Sequence, residues 1–349
     1  MIGQRIGRYA NLSSKRKRGT PRGATAGPSS SAPANTARQA GHRALRDRGA
    51  RGLICAGLVL LVLLLLCGPA CATESDAPKS AAAEKYTLRY KFQPGETLRW
   101  NVEHRCKVRT TVSNSTQTAE TTSLSEKVWR VRQVLSDGSA TFEHLVQWVD
   151  MRQTLTGRRE VHYDSRADSV PPRGFEQLAQ TVGVPLSIVT LDARGKVLHR
   201  KRAPLKAAAG GEGEMTIQLP EEPIAVGGQW SSCHDVELPQ PGGGVVKIKT
   251  RQVFALEGVK TGVATIRVAT QILSPVHDPA IASQLIQYQS AGTVRFDIDA
   301  GRVLGQQMDV DKGVVGFRGE ASSIHYLTRF TEEFSPGETA VAARPVSGK

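Results

Sequence analysis

From residue 85 onward the chain alternates. In YTLRYKF, Tyr86, Leu88, Tyr90 and Phe92 fall on one face, and Thr87, Arg89 and Lys91 on the other. A period of two is the mark of a β-strand. After the PGET turn at 94–97 the alternation resumes. Leu98, Trp100, Val102, His104, Cys106 and Val108 share one face, and Arg99, Glu103, Arg105, Lys107 and Arg109 the other. One dry and one wet face predict an antiparallel sheet. The SDG at 136–138 then joins VWRVRQVL to TFEHLVQWV as a hairpin.

Two stretches change period. In GFEQLAQTV, Phe175, Leu178, Ala179 and Val182 recur at helical spacing. In PAIASQLIQYQS, Ile281, Leu285 and Tyr288 do the same. Each helix is followed by a strand, a turn and a strand, and the turns match: LDARGKVL at 191–198 answers IDAGRVL at 298–304. Upstream, VGGQW answers PGETLRW, and KTGVATIRVATQI answers SDGSATFEHLVQWV. Order and spacing therefore predict an internal duplication. The expected fold is mainly β. Two tandem antiparallel meander halves, 85–202 and 215–334, each carry one short helix, and the sheets are curved, half-barrel or sandwich-like. A small, polar linker covers 203–214, and a loose tail begins at 335.

The N-terminal quarter has a different texture. Residues 53–67 form an apolar run of 15 residues without a charge. A helix of that length spans roughly 22 Å, whereas a bilayer core of about 30 Å asks for about 20 residues. Gly68 and Pro69 close the run, arginines precede it, and ACA at 70–72 is a small-x-small cleavage motif. The region 53–72 thus reads as a signal-peptide core cut between Ala72 and Thr73. The alternative is a retained single transmembrane helix over 53–70 with the basic side inside. A second alternative is lipidation of a cysteine, although Gly68 and Pro69 before Cys71 and Leu66 before Cys67 depart from the usual lipidation pattern. Residues 73–84 read as a linker.

Charge follows the same division. The net +14 is concentrated in residues 1–52, which hold 12 Lys or Arg and one acid, Asp47. That segment, rich in Pro, Ser, Ala and Gly over 20–40, is expected to be disordered. Beyond Thr73 the balance is an ordinary 34 basic to 31 acidic residues. The high isoelectric point is therefore no argument for a nucleic-acid partner.

Candidate chemistry is sparse. His104 and His144 lie on apolar faces, beside Trp100 and Cys106 and beside Phe142 and Trp148. They read as core-edge histidines or as part of a cavity wall. Cys233 and His234 are neighbours, but on a strand they point to opposite faces, which excludes a dyad. Cys106 shares a face with Trp100, and Cys233 lies opposite to Trp230, so a bond between the two cysteines is not expected. Asp297, Asp299, Asp309 and Asp311 read as turn and wet-face carboxylates. There is no zinc, nucleophile-elbow or phosphate-loop motif. No cofactor and no metal are expected, and converging acids or histidines in the fold would be the sign of an enzyme.

The PGETLRW, the Asp-Gly turn between long strands and the two matching hairpins resemble uncharacterised exported β-rich proteins of planctomycete-type bacteria, over roughly residues 85–334. That likeness implies a domain of unknown function. At the level of architecture the chain is also similar to half-barrel lipoprotein carriers of bacterial envelopes. The expectation is an exported cell-envelope protein, periplasmic or extracellular. It is non-enzymatic and binds a lipid, another amphiphile or an envelope protein through Trp100, His104, Phe142, Trp148 and Trp230. The alternatives are a structural or assembly module with a closed core, and a hydrolase assembled from distant loops.

Overall fold

The computed structural model describes residues 84–203, 216–240 and 243–336. The basic segment 1–52, the apolar run 53–72 with Ala72 and Thr73, most of both linkers, and the tail beyond 336 lie outside the described residues. Among the described residues no helix is long and apolar enough to cross a membrane.

The long alternating stretches become long strands. β1 is Lys85–Tyr86. The first half continues with β2 Thr97–Val112, β3 Ser115–Val134, β4 Ala140–Leu155, β5 Val161–Asp164, helix α1 Glu176–Ala179, β6 Pro185–Leu191 and β7 Val197–Arg202. The second half holds β8 Ile224–Ala225, β9 Gln229–Pro239, β10 Val245–Lys260, β11 Val263–Ile272, helix α2 Pro279–Leu285, a 3-10 turn Ile286–Tyr288, β12 Ala291–Asp297, β13 Arg302–Val315 and β14 Ser322–Phe334. β1 and β8 form a small ribbon. The rest form one antiparallel sheet in the order β7-β6-β4-β3-β2-β14-β13-β12-β11-β10-β9, with β5 beside β4. β7 and β9 are free ends, so the sheet is curved but not closed into a barrel. The two meander halves are thus continuous in one curved sheet.

The duplication is visible in this order. β2-β3-β4-β6-β7 and β9-β10-β11-β12-β13 follow one plan, with a helix between the third and fourth strand of each. β14 has no counterpart in the first half. It pairs with β13 on one side and with β2 on the other, from Ser322 opposite Val112 to Phe334 opposite Trp100. One strand thus splices the two units into a single sheet.

Both helices put the expected residues inward. Phe175 is buried, with Leu178, Ala179 and Val182 packed beside it, and Ile281 and Leu285 are buried, with Tyr288 against them. Asp278 starts α2 by accepting from the backbone N–H of Ala280 at 2.8 Å, with Pro279 in the first turn.

One expected strand is not a strand. Only Lys85–Tyr86 of the segment 85–92 forms a ladder. Residues 87–92 run extended as a strap between the two halves. The backbone N–H of Tyr90 donates to the carbonyl of Ala193 at 2.7 Å, and that of Lys91 to the carbonyl of Gly301 at 3.0 Å. Those acceptors lie in the two matching turns, so the strap touches both repeats at equivalent places. Leu88, Tyr90 and Phe92 are buried as the alternation requires. They sit in one cluster with Trp129, Phe142 and Leu191 of the first half and Phe254, Ile266 and Phe296 of the second. Apolar side chains from distant strands meet only because the sheet wraps around them.

Candidate functional site

Curvature leaves space inside. A cavity of about 310 Å³ is lined by strands of both halves, from His144 and Val146 on β4 to His234 on β9 and Gln252 on β10. That volume is at the lower end of the usual range for small-molecule pockets, about 300–1,000 Å³. The strap cluster lies at one end. The cluster of Cys106, Val108, Val149, Phe175, Val310 and Tyr326 lies at the other. Between these ends polar side chains interrupt an apolar wall that includes Val102, Val146, Val268 and Met308.

One run of the polar belt comes from β3. Opposite its wet face, Thr121, Ser123, Ser125, Lys127 and Trp129 all point inward, because they stand two residues apart. Lys127 and Glu332 of β14 form an ion pair with side chains 15% and 3% exposed. The ammonium also lies 4.4 Å from the Trp100 ring centroid and 4.8 Å from that of Trp129, which adds cation–π attraction. The second carboxylate oxygen of Glu332 accepts from Gln306 Nε2 at 3.0 Å. A buried pair survives only when its remaining valences are satisfied in this way.

His104 is fixed by its neighbour. The Thr328 hydroxyl donates to the carbonyl of Arg105 at 2.9 Å and lies 2.8 Å from His104 Nε2. A hydroxyl has one proton, so Nε2–H is the donor to Thr328, and Nδ1 carries the lone pair. Burial pulls His104 down to about 4. Burial takes His144 to about 3, with the positive charges of Lys127 and Arg200 adding to it. Both are neutral at pH 7. Neither His104 Nδ1, His144 Nδ1 nor Trp129 Nε1 has a hydrogen-bond partner in the protein, and the same holds for Gln252 Oε1 and Thr270 Oγ1. All five residues line the cavity.

Of the aromatic and histidine residues singled out from sequence, Trp100, His104 and His144 face this space. Phe142 is fully buried and stacked on Trp129 with centroids 4.3 Å apart, in closed core. Trp230 stacks on Phe254 at 5.3 Å and donates through Nε1 to the carbonyl of Gln218 at 2.7 Å, away from the cavity. Trp148 is turned outward. The register slips in β4, where Ser125 opposes Val149 but Lys127 opposes Val146. One extra residue inverts parity, and Trp148 ends up against the Arg166 guanidinium, 4.1 Å from its ring centroid.

Sequence reasoning passed over Lys127, Ser125 and Glu332, though parity marks them. Lys127 and Ser125 stand two and four residues before inward Trp129. Glu332 stands between inward Phe330 and Phe334 in RFTEEF.

The convergence of His104, His144 and His234 with Lys127 and Glu332 is the pattern expected of an enzyme, but their bonding opposes it. Glu332 is held by Lys127 and Gln306, and His104 by Thr328. Histidines near 4 and 3 are weak bases at neutral pH. Cys106 is pushed up to about 11 by burial, against a hydrogen bond from Tyr326, and is no nucleophile. Cys106 is buried and Cys233 exposed, and both are free thiols. Asp309 is bound by Arg329 at 2.8 Å and Asp311 by His325 at 2.7 Å, on the outside. Asp297 accepts from the backbone N–H of Ala300 within its turn. Among the described residues no group of His, Cys, Asp and Glu is placed to hold a metal ion.

No family model and no curated protein matches the chain. Among solved structures, the structure of DynF from the dynemicin biosynthesis pathway of Micromonospora chersina matches 76% of this chain and 92% of that one, at 8% identity and a TM-score of 0.20, a level at which the likeness carries no inference.

Proposed function

We propose that this protein binds a small amphiphilic molecule within its curved sheet and does so outside the cytoplasm. The observation that carries the reading is the lined cavity of about 310 Å³, with apolar ends and a polar belt. A core that served only to hold the sheet together gains nothing from unpaired polar atoms in its interior. The reading of residues 53–72 as a leader supports the location. So does a mature part of nearly balanced charge, which suits neither nucleic acid nor a strongly anionic surface. The envelope resemblance agrees with both.

The test is native mass spectrometry of the protein isolated from its own cells, beside a Ser125→Trp variant. Ser125 lines the cavity, so an indole there fills it. A discrete bound mass on the wild type that the variant lacks is the expected result. A bare wild-type chain, or the same adduct on both proteins, counts against an interior ligand and favours the structural alternative. The chain mass reports in the same spectrum whether the protein starts at Thr73.

A further inference from the structure

We infer that the cavity selects an uncharged ligand with a polar head that both donates and accepts hydrogen bonds, such as a hydroxyl or primary amide, over a fatty acid or an amine of equal length. The inference rests on the binding reading above and deepens it.

The first argument is charge. Three charged side chains line the cavity: Lys127, Glu332 and Arg302. Lys127 and Glu332 neutralise one another. Arg302 is answered by Glu96 at 3.4 Å, with side chains 19% and 16% exposed. His104 and His144, held neutral by burial, add no charge. A carboxylate or ammonium entering this space would lose its hydration without gaining a free counter-charge, because each opposite charge is already taken. To capture Lys127 an anion would have to displace Glu332 and strand it.

The second argument is the set of unsatisfied atoms. Trp129 Nε1–H is a donor with no acceptor. His104 Nδ1 is an acceptor with no donor, because Thr328 fixes the proton on Nε2. Gln252 Oε1 is a second unfilled acceptor, on the opposite wall. Buried polar groups normally have partners, and these ask for both kinds. A hydroxyl or primary amide supplies both. A carboxylate supplies only acceptors, and an ammonium only donors. The apolar ends of the cavity take the hydrocarbon.

The experiment uses three amphiphiles with one bromine-tipped chain: 10-bromodecan-1-ol, 10-bromodecanoic acid and 10-bromodecylamine. Bromine quenches tryptophan on contact, and Trp100 and Trp129 line the cavity. The full chain carries Trp148→Phe, which removes the outward tryptophan. The expected result at pH 7.5 is quenching by the alcohol at a concentration at least tenfold below that needed for the acid or the amine. Gln252→Leu should then weaken the alcohol several-fold relative to 1-bromodecane. Equal or tighter binding of the acid or amine overturns this inference and leaves the binding reading standing. Quenching by none of the three overturns both.

Discussion

At the scale of single residues the interior is governed by parity. TTSLSEKVWR and RFTEEF place a lysine and a glutamate on the same faces as Trp129, Phe330 and Phe334, and the fold obeys the spacing rather than the polarity. The site was therefore legible in the sequence at Trp100, His104, Lys127 and Glu332, once period two is applied without exempting charged residues. It was not legible at Trp148, because one bulge reverses parity and leaves no mark in composition. The Lys127–Glu332 pair yields a sharp expectation. Lys127→Met leaves Glu332 uncompensated in a site where its side chain is 3% exposed, and removing one partner of a buried pair costs about 3–5 kcal/mol. Lys127→Met with Glu332→Leu removes both charges and should recover most of that loss. Urea unfolding of the two single variants and the double variant measures this. A double variant as unstable as the sum of the singles would mean that the two residues act independently, contrary to their contact.

At the scale of elements, the strap explains the two matching turns. Gly195 and Gly301 both have positive φ, 83° and 64°, where an L-residue is strained. Each also lies directly under the strap. A Cβ on Gly195 would stand 2.5 Å from the Tyr90 ring, and one on Gly301 would stand 2.6 Å from the Lys91 backbone nitrogen. The LDARG and IDAG repeats thus encode a landing place for residues 88–92. The alternation of YTLRYKF was legible, but its partner was not. Extended backbone buries every second side chain whether its neighbour is a ladder or a pair of turns, so periodicity could not tell a strand from a strap. Gly95 supplies the control, because it has φ 81° and nothing within 4 Å of an added Cβ. Gly95→Ala should lose only the backbone strain of about 1–2 kcal/mol. Gly301→Ala should lose clearly more, because it also lifts Lys91 from its hydrogen bond. Thermal unfolding of both variants decides. Equal losses would mean that the strap does not press on the turn.

At the scale of the whole sheet, the two units should respond to acid as one body. The duplication was legible in the matched hairpins, but the way the halves join was not. β14 has no repeat partner, and it pairs with β2 across more than two hundred residues of sequence, as Thr328 does with Cys106. With β14 spliced between the units and the strap cluster drawn from both, neither unit keeps its core if the other opens. His104 and His144 provide the trigger. In the fold burial lowers them to about 4 and about 3, whereas the unfolded chain protonates near 6.5. The unfolded state therefore binds more protons below 6.5. Stability is complete above that pH and falls as the pH drops toward 4, by at most about 1.4 kcal/mol per pH unit for each histidine. The lowered carboxylates, such as Asp164 at about 2, keep their stabilisation above about 4 and lose it only below, so they do not blur this window. Urea midpoints at pH 7.5, 6.5 and 4.5 should be nearly equal for the first two and markedly lower at the third. His144→Leu should flatten the fall by about half. Hydrogen exchange at pH 4.5 should show β3 and β10 opening with the same free energy, because the sheet unfolds in one step. Loss of protection in one half alone would show two independently folded units, and a flat pH response would mean that the histidines are not held neutral in the interior.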